Sequence, residues 1–287
     1  MTKTYLFWLK LLKTKNFISS WRIIFALLSF PRRRESSLMK LMTHVVIGYP
    51  SLEETEKIVK TMADNGADFI ELQIPFSDPL ADGPTIMKAC EQSLANGTKV
   101  KDAFIFMRKL TKEVKIPLLF MAYYNNVFKY GTEKFIRDAK TSGAYGLIVP
   151  DMPVDEESHE HFYEYCKKYN LNNIQVVSPA SINERLIKNA KVSRGFVYFT
   201  ARQGITGAKE KLDPRLIGKL KNVRKFFKIP IAVGFGISKR EHFEKLSPYA
   251  DIAVIGSTII NVINESKEKD IEKNIKQFLY QLVIPAP

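Results

Sequence analysis

Eight short apolar runs, each followed by a charged stretch of helical periodicity, recur between Thr43 and the C-terminus, and no other feature limits the fold as tightly. The runs are His44–Ile47, Phe69–Gln73, Leu118–Ala122, Gly146–Val149, Ile174–Ser178, Gly195–Thr200, Ile231–Val233 and Ile252–Ile255. Short apolar runs alternating with helices read as parallel strands joined by crossover helices. The punctuation agrees. Ser51-Leu52-Glu53-Glu54 has the form of a capping box, Pro84 suits a first helical turn, and Gly66, Gly97 and Gly143 each close a charged helical stretch. A weak internal echo (Asn65-Gly66-Ala67-Asp68, Ser142-Gly143-Ala144-Tyr145, Pro248-Tyr249-Ala250-Asp251) leads into successive runs. Eight such units in roughly 250 residues have the size of a closed barrel. An open doubly wound sheet calls for a glycine-rich turn after its first strand, and here that turn reads Gly48-Tyr49-Pro50-Ser51, which is no dinucleotide fingerprint. The expected fold is α/β, a single (β/α)8 TIM barrel over residues 43–287.

With 287 residues, 45% of them hydrophobic, the chain can fill such a core. Cys90 and Cys166 are too few and too isolated for a disulfide framework or a CxxC metal clip, which fits a reducing, cytoplasmic location and no metal. The net charge of +14 raises nucleic-acid binding, yet residues 1–42 hold nine Lys or Arg against Glu35 alone, and the remainder carries 35 basic and 29 acidic groups. Charge so placed describes an ordinary solvated surface, so no nucleic-acid partner is expected.

Residues 1–42 are apolar and aromatic but broken by Lys10, Lys13, Lys15 and Arg22. Their longest uncharged stretch, Ile23–Pro31, is nine residues, where a membrane helix needs about 20. Arg32-Arg33-Arg34 follows the apolar stretch, the reverse of a secretory signal. Three readings stand: a basic amphipathic segment on a membrane or partner, an extension packed under the barrel, or an upstream start with no structural role. The composition shift near Met39 and Met42 favours the third, with no membrane association.

In a parallel barrel the chemistry lies at the C-terminal strand ends. Glu71 stands inside the run FIELQ, where a charge is tolerated only if it faces the barrel mouth and finds a partner or ligand. Asp82 follows in a loop stiffened by Pro75, Pro79, Gly83 and Pro84. A strand carboxylate facing a loop carboxylate forms an acid/base pair whose environments can separate their pKa values. Taken singly, Glu71 also reads as a structural ion-pair member and Asp82 as a turn former. Late in the chain, Gly204-Ile205-Thr206-Gly207, Gly234-Phe235-Gly236 and Gly256-Ser257 follow the last three runs. One by one these are loop glycines; together, at consecutive strand ends, they point to backbone N–H groups and a helix N-terminus arranged for phosphate.

With Met121-Ala122-Tyr123-Tyr124-Asn125, Pro150-Asp151-Met152-Pro153 and Arg202 added, this ordered set resembles the alpha subunit of tryptophan synthase, most strongly in PFSDPLADGPTI at residues 75–86. The resemblance runs from about Thr43 to the C-terminus. It implies cleavage of indole-3-glycerol phosphate to indole and glyceraldehyde 3-phosphate with no cofactor in this chain. It also implies an αββα assembly with a PLP-containing beta subunit that receives the indole. By the same resemblance Glu71 is the acid/base and Asp82 the partner of the indole N–H. Gly207, Phe235, Gly236, Gly256 and Ser257 meet the phosphate, Thr206 closes its loop onto Asp82, and Tyr198 and Met121 line the indole pocket. Pro75, Asp78, Asn125 and Pro153 match the docking surface for the beta subunit. Outside the resemblance these four read as turn residues and Tyr198 as core.

The match departs from the family at several points. Gln73 replaces a glycine on the same strand face as Glu71, so its amide is expected to enter the indole pocket and either hydrogen-bond that carboxylate or crowd the substrate. Tyr49 replaces an aspartate and Ala201 a serine, and His44 stands at a position usually aromatic or apolar, where a satisfied polar residue is expected rather than a catalytic one. The family's first helix has no counterpart in residues 1–42. A working lyase leads. The alternative is a barrel impaired by Gln73 that serves only as an allosteric activator of the beta subunit, and a third class is a membrane or polyanion module built on residues 1–42.

Overall fold

The computed structural model describes residues 39–200, 215–234 and 239–283, all within one compact unit. Residues 1–38, Ala201, Arg202, Thr206, Gly207, Phe235 and Gly236 therefore lie outside the described residues. Strands β1 (Lys40–Val46), β2 (Phe69–Gln73), β3 (Leu118–Met121), β4 (Gly146–Ile148), β5 (Asn172–Val177), β6 (Val197–Thr200), β7 (Ile231–Gly234) and β8 (Ile252–Ile255) pair in parallel, in chain order. β8 returns to pair with β1 in the register Met42↔Val254, closing the barrel. The expected (β/α)8 architecture is what the chain adopts. The first strand starts at Lys40, ahead of the apolar run read at His44, and Met42 is a fully buried rung of its interior face.

The helices are α1 (Leu52–Asp64), α2 (Pro84–Ala95), α3 (Val100–Glu113), α4 (Tyr124–Tyr130), α5 (Thr132–Thr141), α6 (Glu157–Glu160), α7 (Phe162–Lys168), α8 (Asn183–Val192), α9 (Arg215–Arg224), α10 (Arg240–Leu246), α11 (Ser257–Glu265) and α12 (Ile271–Val283). Ser51 caps α1 by accepting from the Glu54 N–H at 3.1 Å, while the Glu54 carboxylate turns to Lys57 at 2.7 Å, so half of the expected capping box forms. Pro84 occupies the first turn of α2, and the three helix-ending glycines take positive φ. The longer helices each bury one stripe. On α3 that stripe is Ala103, Phe104, Phe106, Met107 and Leu110, the 3.6-residue period of a helix lying on a sheet.

Two layers of core follow from strand alternation. Outward residues such as Leu41, Ile70, Leu72 and Phe120 pack under the helices. Inward residues Met42, Phe69, Leu119, Ile174, Phe196 and Ile252 fill the barrel, with Phe69 and Phe196 in edge contact at 5.7 Å. The turn after β1 is clamped by α2. Ser93 Oγ donates to the Ile47 carbonyl at 2.5 Å, and a Cβ at Gly48 (φ +84°) would fall 2.1 Å from Thr98 Oγ1.

Phe104 anchors the outer layer, with Phe120, Tyr130 and Phe135 at 5.5, 5.2 and 5.1 Å. Phe104→Ala is expected to lower unfolding stability by about 3–5 kcal/mol, read from urea midpoints; a loss under about 1 kcal/mol would contradict this packing.

Candidate active site

Alternation on β2 turns Phe69, Glu71 and Gln73 into the barrel, one above the other toward the mouth. Glu71, 4% exposed, is paired in register with His44 on β1, and the His44 Nδ1 lies 3.6 Å from Glu71 Oε1. The His44 Nε2 meets no hydrogen-bond partner among the described residues, so His44 is not the satisfied polar residue its position led us to expect.

Gln73 occupies the expected face, but its amide does not enter the pocket. It is fully buried, it does not line the cavity, and its Nε2 donates to Asp82 Oδ2 at 2.8 Å instead of to Glu71. The reason is geometric: His44 faces Glu71 from the neighbouring strand, and the loop after β2 folds Asp82 down over the strand's end. The Tyr123 hydroxyl donates to the same Asp82 oxygen at 2.8 Å and accepts the Ala81 N–H at 3.0 Å, pinning the loop to the end of β3. Phe76 stacks on the Tyr123 ring at 5.3 Å.

The two carboxylates therefore differ in environment. Burial raises the Asp82 pKa above the ordinary carboxylate value, held back by His44, Gln73 and Tyr123. Burial alone would lower the His44 pKa, but the Glu71 carboxylate, with Asp82 and Gln73 behind it, carries it above the ordinary histidine value. Burial pushes the nearby Cys90 thiol up to about 12, leaving it inert.

His44, Glu71, Asp82, Met121 and Tyr198 line a cavity of about 780 Å³, and Gly234, Gly256 and Ser257 line the same space. That volume suits a small organic substrate. Ser257 opens α11, so the first backbone N–H groups of that helix face the cavity. Gly234 has a further reason to be glycine: a Cβ there would fall 2.6 Å from the Tyr198 hydroxyl, so its absence seats the aromatic wall. Of the docking residues, Asp78 and Asn125 are exposed, Pro153 is half-buried at the cavity rim, and Pro75 is buried, its carbonyl accepting from Asn126 at 3.3 Å. Leu80 stands 86% exposed between them, an apolar feature that loop composition alone did not single out.

A family profile described as tryptophan synthase alpha chain matches residues 30–283. The tryptophan synthase alpha chain of Desulfotalea psychrophila is 46% identical over 231 residues, spanning 80% of this chain and 90% of that one. That of Methanocaldococcus jannaschii is 43% identical, spanning 79% of each. The chain belongs to the tryptophan synthase alpha chain family. The fold agrees: a tryptophan synthase complex from Pyrococcus furiosus superposes with a TM-score of 0.77 at 29% identity, covering 85% of this chain and 97% of that one. A Mycobacterium tuberculosis tryptophan synthase gives 0.77 at 30% identity, covering 87% and 94%. The alpha-chain match begins ahead of Thr43, as does the strand β1.

Tyr123 was the site residue that reasoning from sequence passed over. Its signal was present, because alternation carried two residues past Met121, just beyond the end of β3, turns Tyr123 to the same inner side. Among the described residues no group of three or more His, Cys, Asp or Glu is placed to hold a metal ion, and no helix is long and apolar enough to cross a membrane.

The raised Asp82 pKa has a sign. A carboxyl that binds its proton more tightly when folded contributes stability fully below its unfolded value, and that contribution is lost as pH rises through the folded value. Asp82→Asn cannot lose a proton and can still accept from Gln73 and Tyr123. It is expected to be more stable than the native chain at pH 7, with the gain shrinking toward pH 4; equal urea midpoints at both pH values would contradict the burial of this carboxylate.

Proposed function

We propose that this chain is the indole-3-glycerol-phosphate lyase of a tryptophan synthase, acting in the cytoplasm in tryptophan biosynthesis. The observation that carries the reading is a single cavity lined by two carboxylates in different surroundings and by the N-terminus of α11. Cleaving the bond between indole C3 and the glycerol chain leaves electrons that need an acceptor. Protonating C3 supplies it, because the ring becomes an indolenine whose C=N+ takes the electron pair as the bond breaks. Glu71 gives that proton and takes the proton of the glycerol hydroxyl, which becomes the aldehyde. Asp82 faces the ring nitrogen and stabilises the cation. Gln73 and Tyr123 both donate to Oδ2 of Asp82, which leaves Oδ1 for the indole N–H.

The phosphate falls to Gly256 and Ser257 at the start of α11, joined by Gly207, Phe235 and Gly236, while Thr206 closes over Asp82 and Met121 and Tyr198 flank the indole. Glyceraldehyde 3-phosphate leaves, and indole passes to a PLP-containing beta subunit. The surface for that partner comprises Pro75, Asp78, Asn125 and Pro153, with the exposed Leu80 as its apolar contact. Two buried free cysteines accord with a reducing compartment. The extension is the segment ahead of β1, since Lys40, Leu41 and Met42 belong to the barrel. The activator-only reading is the weaker one here, because Gln73 stays out of the cavity and serves Asp82.

Indole release from indole-3-glycerol phosphate, with and without a beta subunit, tests the reading. Glu71→Gln is expected to lose about 10²–10⁴-fold in kcat. Gln73→Gly is expected to slow the reaction, by freeing Asp82 from one donor. If the native chain releases no indole yet stimulates the beta subunit, and Gln73→Gly gains turnover, the activator reading replaces this one. Sizing the mixture tests the αββα assembly.

A further inference from the structure

The His44 imidazole has no part in the reaction as derived above, yet it is among the most constrained polar groups in the barrel. It is 4% exposed, lines the cavity, and has Nδ1 at 3.6 Å from Glu71 Oε1. Among the described residues, the elements packed around it supply carboxylates, the Gln73 amide and apolar contacts. β2 supplies Glu71 and Gln73, and the following loop supplies Asp82. The end of β8 supplies Gly256, whose built Cβ would lie 3.7 Å from His44 Cβ, and α2 supplies Ile86 at the same glycine. Among the described residues, Tyr198 on β6, Tyr123 after β3 and Cys90 on α2 are the remaining titratable groups of the neighbourhood, and burial raises all three pKa values, so they stay neutral.

A buried imidazole with one nitrogen on a carboxylate and the other unpartnered is a costly arrangement for structure alone, since an unsatisfied buried polar atom costs about 1–3 kcal/mol. We infer that His44 is a positioning residue for Glu71, holding through Nδ1 the proton that Glu71 delivers to the reacting carbon. The inference rests on the lyase reading for the identity of that carbon. The step balances. Imidazolium Nδ1–H passes its proton to the Glu71 carboxylate, and the Glu71 O–H so formed protonates indole C3. The glycerol hydroxyl proton then moves to Glu71 as the C–C electrons enter the C=N+ bond, and it returns to His44. The pair begins and ends with one proton, and no oxidant or further reactant is needed.

Two measurements test this separately. The first is the NMR pH titration of the His44 ring proton, assigned by its loss in His44→Phe; the chain has four histidines. The midpoint is expected above the ordinary value of about 6.5 and is expected to fall by at least about one pH unit in Glu71→Gln. An unchanged midpoint overturns the pairing. The second is the pH profile of kcat/KM. Phenylalanine at 44 keeps an aromatic ring but leaves Glu71 to hold its proton alone, so the alkaline limb is expected to move to lower pH, with roughly tenfold lower kcat/KM at pH 8 for each unit moved. His44→Gln, which keeps a donor but cannot titrate, is expected to move the same limb, and it serves if the phenylalanine variant does not fold. Limbs unmoved in a folded variant overturn the role in proton delivery, because a merely structural histidine shifts stability and not the profile. A native chain that releases no indole, with the His44 midpoint still falling in Glu71→Gln, sinks the lyase reading and leaves the pairing supported.

Discussion

A closed parallel barrel allows a strand only two directions for its side chains, and this period of two governs everything at the site. On β2 it sends Phe69, Glu71 and Gln73 inward in rising order. The lowest closes the barrel interior against Phe196, the middle one meets His44, and the uppermost reaches the Asp82 loop. Shifting that strand by one residue would put Ile70 and Leu72 in the mouth and bury a carboxylate under α2 or α3. The apolar pairing that fixes the register therefore also fixes the chemistry.

The loop carboxylate depends on the same rule by another route. Asp82 belongs to no strand, yet both of its donors come from inward positions next to the barrel mouth, Gln73 at the end of β2 and Tyr123 just past β3. Prolines restrict the loop's backbone, but they do not choose where the carboxylate points; the two hydrogen bonds do. A rigid barrel thus holds a loop group with the precision of a strand group, which is what differential stabilisation of a cationic ring requires.

How much of this was legible in the chain depends on the direction in which information runs. Properties that follow along one strand or helix were readable: the eight runs, the inward face shared by Glu71 and Gln73, the proline opening α2, the glycines ending α1, α2 and α5. Properties that arise between elements were not. The expectation that Gln73 would reach into the pocket respected alternation and still failed, because it left out His44 on β1 and the inward fold of the loop. Gly234 was read for what its backbone could bind, when its missing side chain also makes room for Tyr198 from the adjacent strand. The half-formed capping box is an exception within a single helix, since Lys57, one turn on in α1, competes for the Glu54 carboxylate.

The polar atoms left without partners among the described residues show where the barrel accepts instability. Three of the four, Thr43 Oγ1, His44 Nε2 and Gln73 Oε1, belong to the adjacent strands β1 and β2 beside the carboxylates. Buried orphans of this kind are rare in proteins, and an apolar residue at any of these positions would relieve one. Their concentration on the strand pair that carries His44 and Glu71, rather than through the rest of the barrel, is the pattern expected where stability is traded for a polar environment set in advance of the substrate. The fourth, Thr258 Oγ1, lies in the first turn of α11. Unmet polarity thus gathers on the β1–β2 pair and at the start of α11, and the close-packed layers carry the stability that permits it.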